Sequence, residues 1–395
     1  MVKTMSAIKH RSLLIITVAL VGLNLRPFMT SVGPVANQIR ATTGLSLQGI
    51  ALLTLVPMLL MGLIAFVGPV LQNLFGERRT IVGALLMICV GCGLRFFTVH
   101  GWALIFTAAV IGFGVAMIQA AFPSLIKREF HDHLSPMMGL YSATLMGGGA
   151  LGALLAPVVT SSSGDWKIGL AVFVLPALLA LIFARCVLTQ TAQQHKKMPS
   201  VMRLLNQPRT WLLICCFGLI NGGYSSIVAW LAPAFQAQGW TATASGNLMA
   251  LLTLSQAGAA LLLPYLSRKQ RDRRIWVGLT LILQLIGFSG LAFFADALPY
   301  LWAITVGAGL GGCFALLMIV VLDHLPDAAH AGQLSALMQG GGFLLAAIAP
   351  WWVAVLHDMT GTYAAGWIWH LCMVVIVAGL MIRLNPAHYE KVINF

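Results

Sequence analysis

The sequence predicts an all-α membrane protein of twelve transmembrane helices, built as two pseudo-symmetric six-helix bundles. Three observations predict it: a composition too apolar for a soluble chain, twelve apolar windows of spanning length, and an internal repeat at about half the chain length. Of 395 residues, 59% are hydrophobic and only 8% charged, with a mean hydropathy of +0.91. A soluble fold of this length has no interior large enough to hide that much apolar surface. A formal net charge of +13 would suggest nucleic acid in a soluble protein. Here the basic residues sit in short gaps between apolar runs, where they orient a chain in the bilayer, so the partner is lipid and not nucleic acid.

Taking the chain in order, Lys3, Lys9 and Arg11 precede an apolar run longer than a signal peptide's, with no small-residue cleavage site, so that run is expected to stay as the first helix. About 20 residues cross the hydrocarbon of a bilayer. Windows of that kind fall at 12–35, 47–71, 80–98, 101–124, 136–160, 167–189, 210–236, 245–266, 275–295, 299–322, 332–356 and 363–384. Counted on alternate sides, 19 Lys and Arg fall on the side holding both termini, whereas Arg40, Arg95 and Lys167 fall on the other. The excess predicts cytoplasmic termini for a multi-pass protein of a bacterial inner membrane. The longest polar break, with His195, Lys196, Lys197 and Arg203, divides the chain into bundles at 1–190 and 210–395 joined by a cytoplasmic linker at 191–209. The seven cysteines show no disulfide or metal spacing and read as small buried hydrophobes.

The halves resemble each other. "ALLTL" at 51–55 recurs at 250–254, "PVLQNLFGERRTIVG" at 69–83 answers "PYLSRKQRDRRIWVG" at 264–278, and "GLYSATLMGGGALGALLAP" at 139–157 answers "GQLSALMQGGGFLLAAIAP" at 332–350. Offsets of 199, 195 and 193 join the second span with the eighth, the loop after each, and the fifth with the eleventh. A parallel six-plus-six repeat resembles the major facilitator fold, in which the substrate site lies near the midplane between halves that rock against each other.

Asn24-Leu25-Arg26-Pro27, the Glu77-Arg78-Arg79 loop, the Gln119 span leading into Pro123-Ser124-Leu125-Ile126-Lys127-Arg128, "GLINGGY" at 218–224, and Gln339-Gly340-Gly341 are together similar to the cyanate permease family of the major facilitator superfamily. The similarity runs over essentially the whole chain. It implies a twelve-helix inner-membrane transporter of a small solute, with cyanate as the leading substrate and export of nitroimidazole-type compounds as the alternative. Asn73 stands near the position where the superfamily's loop after the second span has an Asp, and Glu77 interrupts that loop.

Arg26 is the main candidate site residue. A helix starting at Ser12 puts its guanidinium about halfway through the bilayer at ~1.5 Å per residue, where an Arg costs ~2.5–3.5 kcal/mol on insertion scales and marks a substrate path. The alternative is an Arg capping backbone carbonyls at the break made by Pro27. Thr30 lies at i+4 and is expected to share its face, whereas Asn24 points elsewhere and is expected to bond a neighbouring helix. At equivalent depth in the second half, Asn221, Tyr224 and Ser225 form one polar face that either meets Arg26 across the pseudo-twofold axis or bonds a helix beside Gly222-Gly223. Gln119 and Gln256 are single amides in apolar spans, available to a solute or to packing. Gln339 is a weaker candidate.

Other motifs read as structure. Gly147-Gly148-Gly149 and Gly340-Gly341-Gly342 suit close helix packing. The Gly307–Gly312 run matches a dinucleotide fingerprint in spacing but has no strand before it. His131-Asp132-His133 reads as a charged loop rather than a metal site, and His370 as a buried neutral side chain bonding a partner helix. All ten carboxylates fall in loops, tails or span ends. A cavity with one fixed positive charge and amide or hydroxyl groups suits a small anion or a polar neutral solute, with no metal or cofactor. No catalytic set shares a span, so the sequence points to a monomeric carrier, not an enzyme.

Overall fold

The computed structural model describes residues 2–130, 134–189, 201–270, 272–325 and 328–389. The 131–133 motif and most of the predicted linker, 191–200, lie outside the described residues. Among the described residues, twelve helices are long and apolar enough to cross a bilayer. Spans 1 to 6 are Arg11–Thr30, Leu47–Val67, Glu77–Phe97, Gly101–Pro123, Pro136–Ser163 and Trp166–Val187. Spans 7 to 12 are Pro208–Ala237, Ala242–Lys269, Arg274–Phe293, Pro299–Asp323, Ala331–Thr360 and Ala364–Met381. Each overlaps the apolar window predicted for it.

Span 1 is broken where the sequence demands it. Pro27 has no N–H, and its ring collides with the preceding turn of a continuous helix. The first helix therefore stops at Leu23, and Asn24 and Leu25 donate their N–H groups to the carbonyls of Val21 and Gly22, both 3.1 Å. Pro27 then opens a four-residue helix, Pro27–Thr30, at the position where its missing donor costs nothing. A further helix, Val32–Thr43, ends at Gly44 with φ 70°, a left-handed cap suited to glycine.

The principal helix packing follows the repeat. Span 1 packs on spans 5 and 6, span 2 on span 4, and span 3 on spans 4 and 6. In the second half span 7 packs on spans 11 and 12, span 8 on span 10, and span 9 on spans 10 and 12. Two large seams join the halves, span 5 with span 8 and span 2 with span 11, and the repeat exchanges one for the other. A Cβ built on Gly148 would lie 2.1 Å from the carbonyl oxygen of Leu23, so a glycine there lets span 5 lie directly against the break in span 1.

The two ends differ in polarity. At the basic end, Arg128 pairs with Glu77 and, at 2.9 Å, with Glu129, while Arg273 pairs with Asp323 at 3.0 Å. The two half-related bridges carry opposite sign order: the base follows span 4 in one and precedes span 9 in the other. His324, just beyond span 10, is fully buried at this end, its ring stacked 3.8 Å from that of Tyr389. Burial pushes its imidazole down to about 4. At the opposite end the halves are tied by amides. Asn37 Nδ2 donates to Gln236 Oε1 at 2.8 Å, Gln236 Nε2 donates to the Pro34 carbonyl at 3.0 Å, and Gln48 donates to Asp358.

Two readings are corrected by the structure. The cysteines are not uniformly buried: Cys186 and Cys372 are exposed and Cys215 is half-buried, because they lie on the outer faces of spans 6, 12 and 7, where an apolar thiol is suited to lipid. His370 is buried as expected, but its ring stacks on Phe288 of span 9 at 5.3 Å, and its Nε2 has no hydrogen-bond partner.

Candidate functional site

The break in span 1 delivers Arg26 to the centre of the molecule. The residue stands outside the helix, at φ −124° and ψ −23°, and its carbonyl accepts the N–H groups of Met29 (3.1 Å) and Thr30 (3.3 Å). That leaves the side chain free of the helical register. Arg26 is 3% exposed. Its Cζ lies 4.3 Å from the centroid of the Tyr224 ring, a cation–π distance that stabilises a desolvated cation by about 2 kcal/mol. The guanidinium Nε and Nη1 are buried without a hydrogen-bond partner. Among the described side chains no Asp or Glu is buried, so no carboxylate neutralises the charge there.

Around Arg26 spans 1, 5, 7, 8 and 10 leave a small cavity. Its polar wall is Arg26, Asn221, Tyr224 and Gln256, and its apolar wall is Met146, Ile220, Leu310 and Phe314. Asn221 is held by an Nδ2 hydrogen bond to the Phe217 carbonyl at 2.9 Å. Gln256, 1% exposed, has its Oε1 buried without a partner. A Cβ on Gly311 would come within 2.5 Å of Gln256 Cα. The glycine run of span 10 is thus a packing seam that brings Gln256 to the centre. A cavity with a planar cation, an amide pair and no acid can hold an anion or a polarised neutral solute, since hydrogen bonds to guanidinium are the strong kind.

Four of the six sequence-predicted site residues, Arg26, Asn221, Tyr224 and Gln256, meet at this cavity. Thr30 does not line it: its hydroxyl donates to the carbonyls of Arg26 and Pro27, 3.4 Å each, and sits where a Cβ on Gly152 would come within 2.2 Å. Gln119 lies elsewhere in span 4, buried, with its Oε1 unpartnered. Asn24 bonds the Pro176 carbonyl of span 6 at 3.0 Å, the interhelical role expected of it. Ser225 turns away from the Asn221–Tyr224 face and donates to the Ala346 carbonyl of span 11 at 2.9 Å. Sequence reasoning missed the apolar wall and Tyr141, whose hydroxyl is buried without a partner. It also missed Arg95, which lies inside the predicted window 80–98 but was counted only as a charge of the outer side, and which is 0% exposed. Its place inside that window, followed by Phe96-Phe97, was the available signal of a buried charge.

The fold and this central polar chamber define a membrane transporter built from two related six-span halves. The sequence profile of the Major Facilitator Superfamily matches residues 14–350, and the chain belongs to that superfamily. It is 42% identical over 380 residues to the Cyanate transport protein CynX of Escherichia coli (strain K12), covering 96% of this chain and 98% of that protein, which places it in the cyanate permease family. It is 30% identical over 364 residues to the 2-nitroimidazole transporter of the same organism, covering 90% and 91%. Among solved structures, a D-xylose-proton symporter superimposes with a TM-score of 0.77 at 13% identity, covering 98% of each chain, a likeness of fold alone.

Proposed function

We propose that this protein is a secondary transporter that carries cyanate across the bacterial inner membrane by alternating access, as a monomer with both termini in the cytoplasm. The observation that carries the reading is the Arg26 guanidinium, stacked on Tyr224 in a central cavity with two buried nitrogens unpartnered. A bound anion removes the cost of that unpaired buried charge. Asn221 and Gln256 complete the wall around it. The 42% identity to a cyanate transport protein supports the choice of anion, and the small volume agrees with a solute of few atoms. Gln119 and Thr30 act at one remove, through packing.

A monovalent anion entering against an inside-negative potential works against ~2.3 kcal/mol per 100 mV. Net uptake therefore draws on a proton, a counter-anion or rapid consumption of the solute inside. Labelled-cyanate flux in proteoliposomes, with pH gradient and potential varied independently, separates these. In that assay Arg26→Ala abolishes saturable uptake. Arg26→Lys, which keeps the charge and loses the planar fork, raises KM tenfold or more. Unchanged saturable uptake in well-inserted Arg26→Ala sinks the site assignment. The second reading, transport of small heterocycles, is favoured by the 30% identical nitroimidazole transporter and the aromatic Tyr224 and Phe314 in the wall. Expression that raises drug tolerance without accelerating cyanate entry would favour it.

A further inference from the structure

A second arginine is buried more deeply than Arg26 and has no place in the transport reading so far. Arg95 closes span 3 in a short 3₁₀ turn, Arg95–Phe97, and is 0% exposed. Both of its terminal nitrogens, Nη1 and Nη2, donate to one acceptor, the carbonyl oxygen of Phe28, at 3.2 Å each. Phe28 lies in the four-residue helix Pro27–Thr30, two residues beyond Arg26. The Arg95 turn is itself pinned by Thr98, whose hydroxyl donates to the Arg95 carbonyl at 2.7 Å.

Burying a cation against a single neutral carbonyl, with no buried carboxylate among the described side chains, is costly. Satisfying one backbone acceptor does not require it, because a serine or an amide would do so without a charge. What the guanidinium adds is a rigid planar fork that fixes the direction of the carbonyl as well as its distance, and a second positive charge behind the break. Arg26 stands outside any helix at the start of that segment, so regular hydrogen bonding does not set its orientation. The segment is held from one side by Gly148 and Gly152 of span 5 and from the other by Arg95. All of these belong to one half, so the clamp survives rocking of the halves.

We propose that Arg95 is a positioning residue for anion transport: its fork on the Phe28 carbonyl holds the break in span 1 so that the Arg26 guanidinium lies over Tyr224 and faces the cavity. This rests on the reading of Arg26 as the anion site. The test is labelled-cyanate uptake by the full-length protein in proteoliposomes, with KM and maximal rate per inserted molecule read for Arg95→Met, Arg95→Gln, Arg95→Lys and Arg26→Ala, alongside melting temperature in detergent. Arg95→Met is expected to raise KM at least tenfold with a maximal rate within threefold of wild type. Arg95→Gln, which keeps a donor, and Arg95→Lys, which keeps the charge, fall between. A purely structural role would lower the melting temperature and the inserted yield and leave KM alone. KM within twofold of wild type in Arg95→Met overturns the proposal. If that variant does not insert, the same criterion applied to Arg95→Gln decides. Loss of uptake in Arg26→Ala with no KM change at Arg95 sinks the positioning role alone, whereas unchanged uptake in Arg26→Ala sinks the anion site and this role with it.

Discussion

At the scale of single residues, the central cavity depends on what is missing from it. Among the described side chains Arg26 has no carboxylate beside it, and Gln256, in the same wall, offers an unpartnered buried oxygen. Gln256→Glu adds one charge with almost no change of volume and gives Arg26 the internal partner it lacks. Saturable cyanate uptake is expected to fall at least a hundredfold while Gln256→Leu costs roughly tenfold in KM, both measured in proteoliposomes; equal effects would mean that the amide acts by shape alone. Arg26 was legible because an intramembrane charge is conspicuous, and Tyr224 and Asn221 because they recur at its depth in the other half. Thr30 was misplaced for a physical reason. The i+4 rule assumes both residues share one helix, but Arg26 sits outside it at ψ −23° and φ −124°, so the 100° steps between them do not apply. Arg95 was overlooked because, although inside the 80–98 window, it was weighed only by its sign and side.

At the scale of elements, hydropathy located the spans because each needs about 20 apolar residues and the gaps between them are short. The break in span 1 was legible from Pro27, and the second one, at Ser31, from Pro34, which has no N–H to donate to the Thr30 carbonyl four residues back. The basic end offers an element-scale prediction. His324 is buried against Tyr389 from the C-terminal turn, with its imidazole pushed down to about 4, below the ordinary ~6.5 of the unfolded chain. Between those values the unfolded state binds the extra proton, so its contribution to stability is full above pH 6.5 and is lost as pH falls towards 4. Melting temperature in detergent is expected to drop across that window, and His324→Phe, which keeps a stacking ring and cannot titrate, is expected to flatten the drop. A wild-type slope retained in His324→Phe would assign it to another group.

At the scale of the whole molecule, the repeat legible in the sequence matches the main packing: the five principal helix pairs of one half have their counterparts in the other, and the two seams between halves exchange under it. Composition does not reveal which end is closed, because that depends on contacts between residues some 200 positions apart. The Asn37–Gln236 bond at 2.8 Å ties the helix after span 1, Val32–Thr43, to the end of span 7 opposite the basic end. With the native cysteines replaced, the double variant Asn37→Cys and Gln236→Cys is expected to lose uptake on oxidation and regain it with reductant. Full uptake by the crosslinked protein would mean that these ends stay together throughout the cycle.

Those reciprocal seams bear on the centre as well. A six-span chain pairing with its own copy by twofold symmetry could close both, but it would then bring position 26 of each copy to one small void. Two guanidiniums about 4 Å apart there would repel by ~4 kcal/mol at an effective dielectric of 20. Joining the copies in one polypeptide lets them differ, and at the 195-residue offset of the loop match, Asn221 stands where the second arginine would be. Covalent linkage is what permits a solitary cation on an axis that strict symmetry would have populated twice.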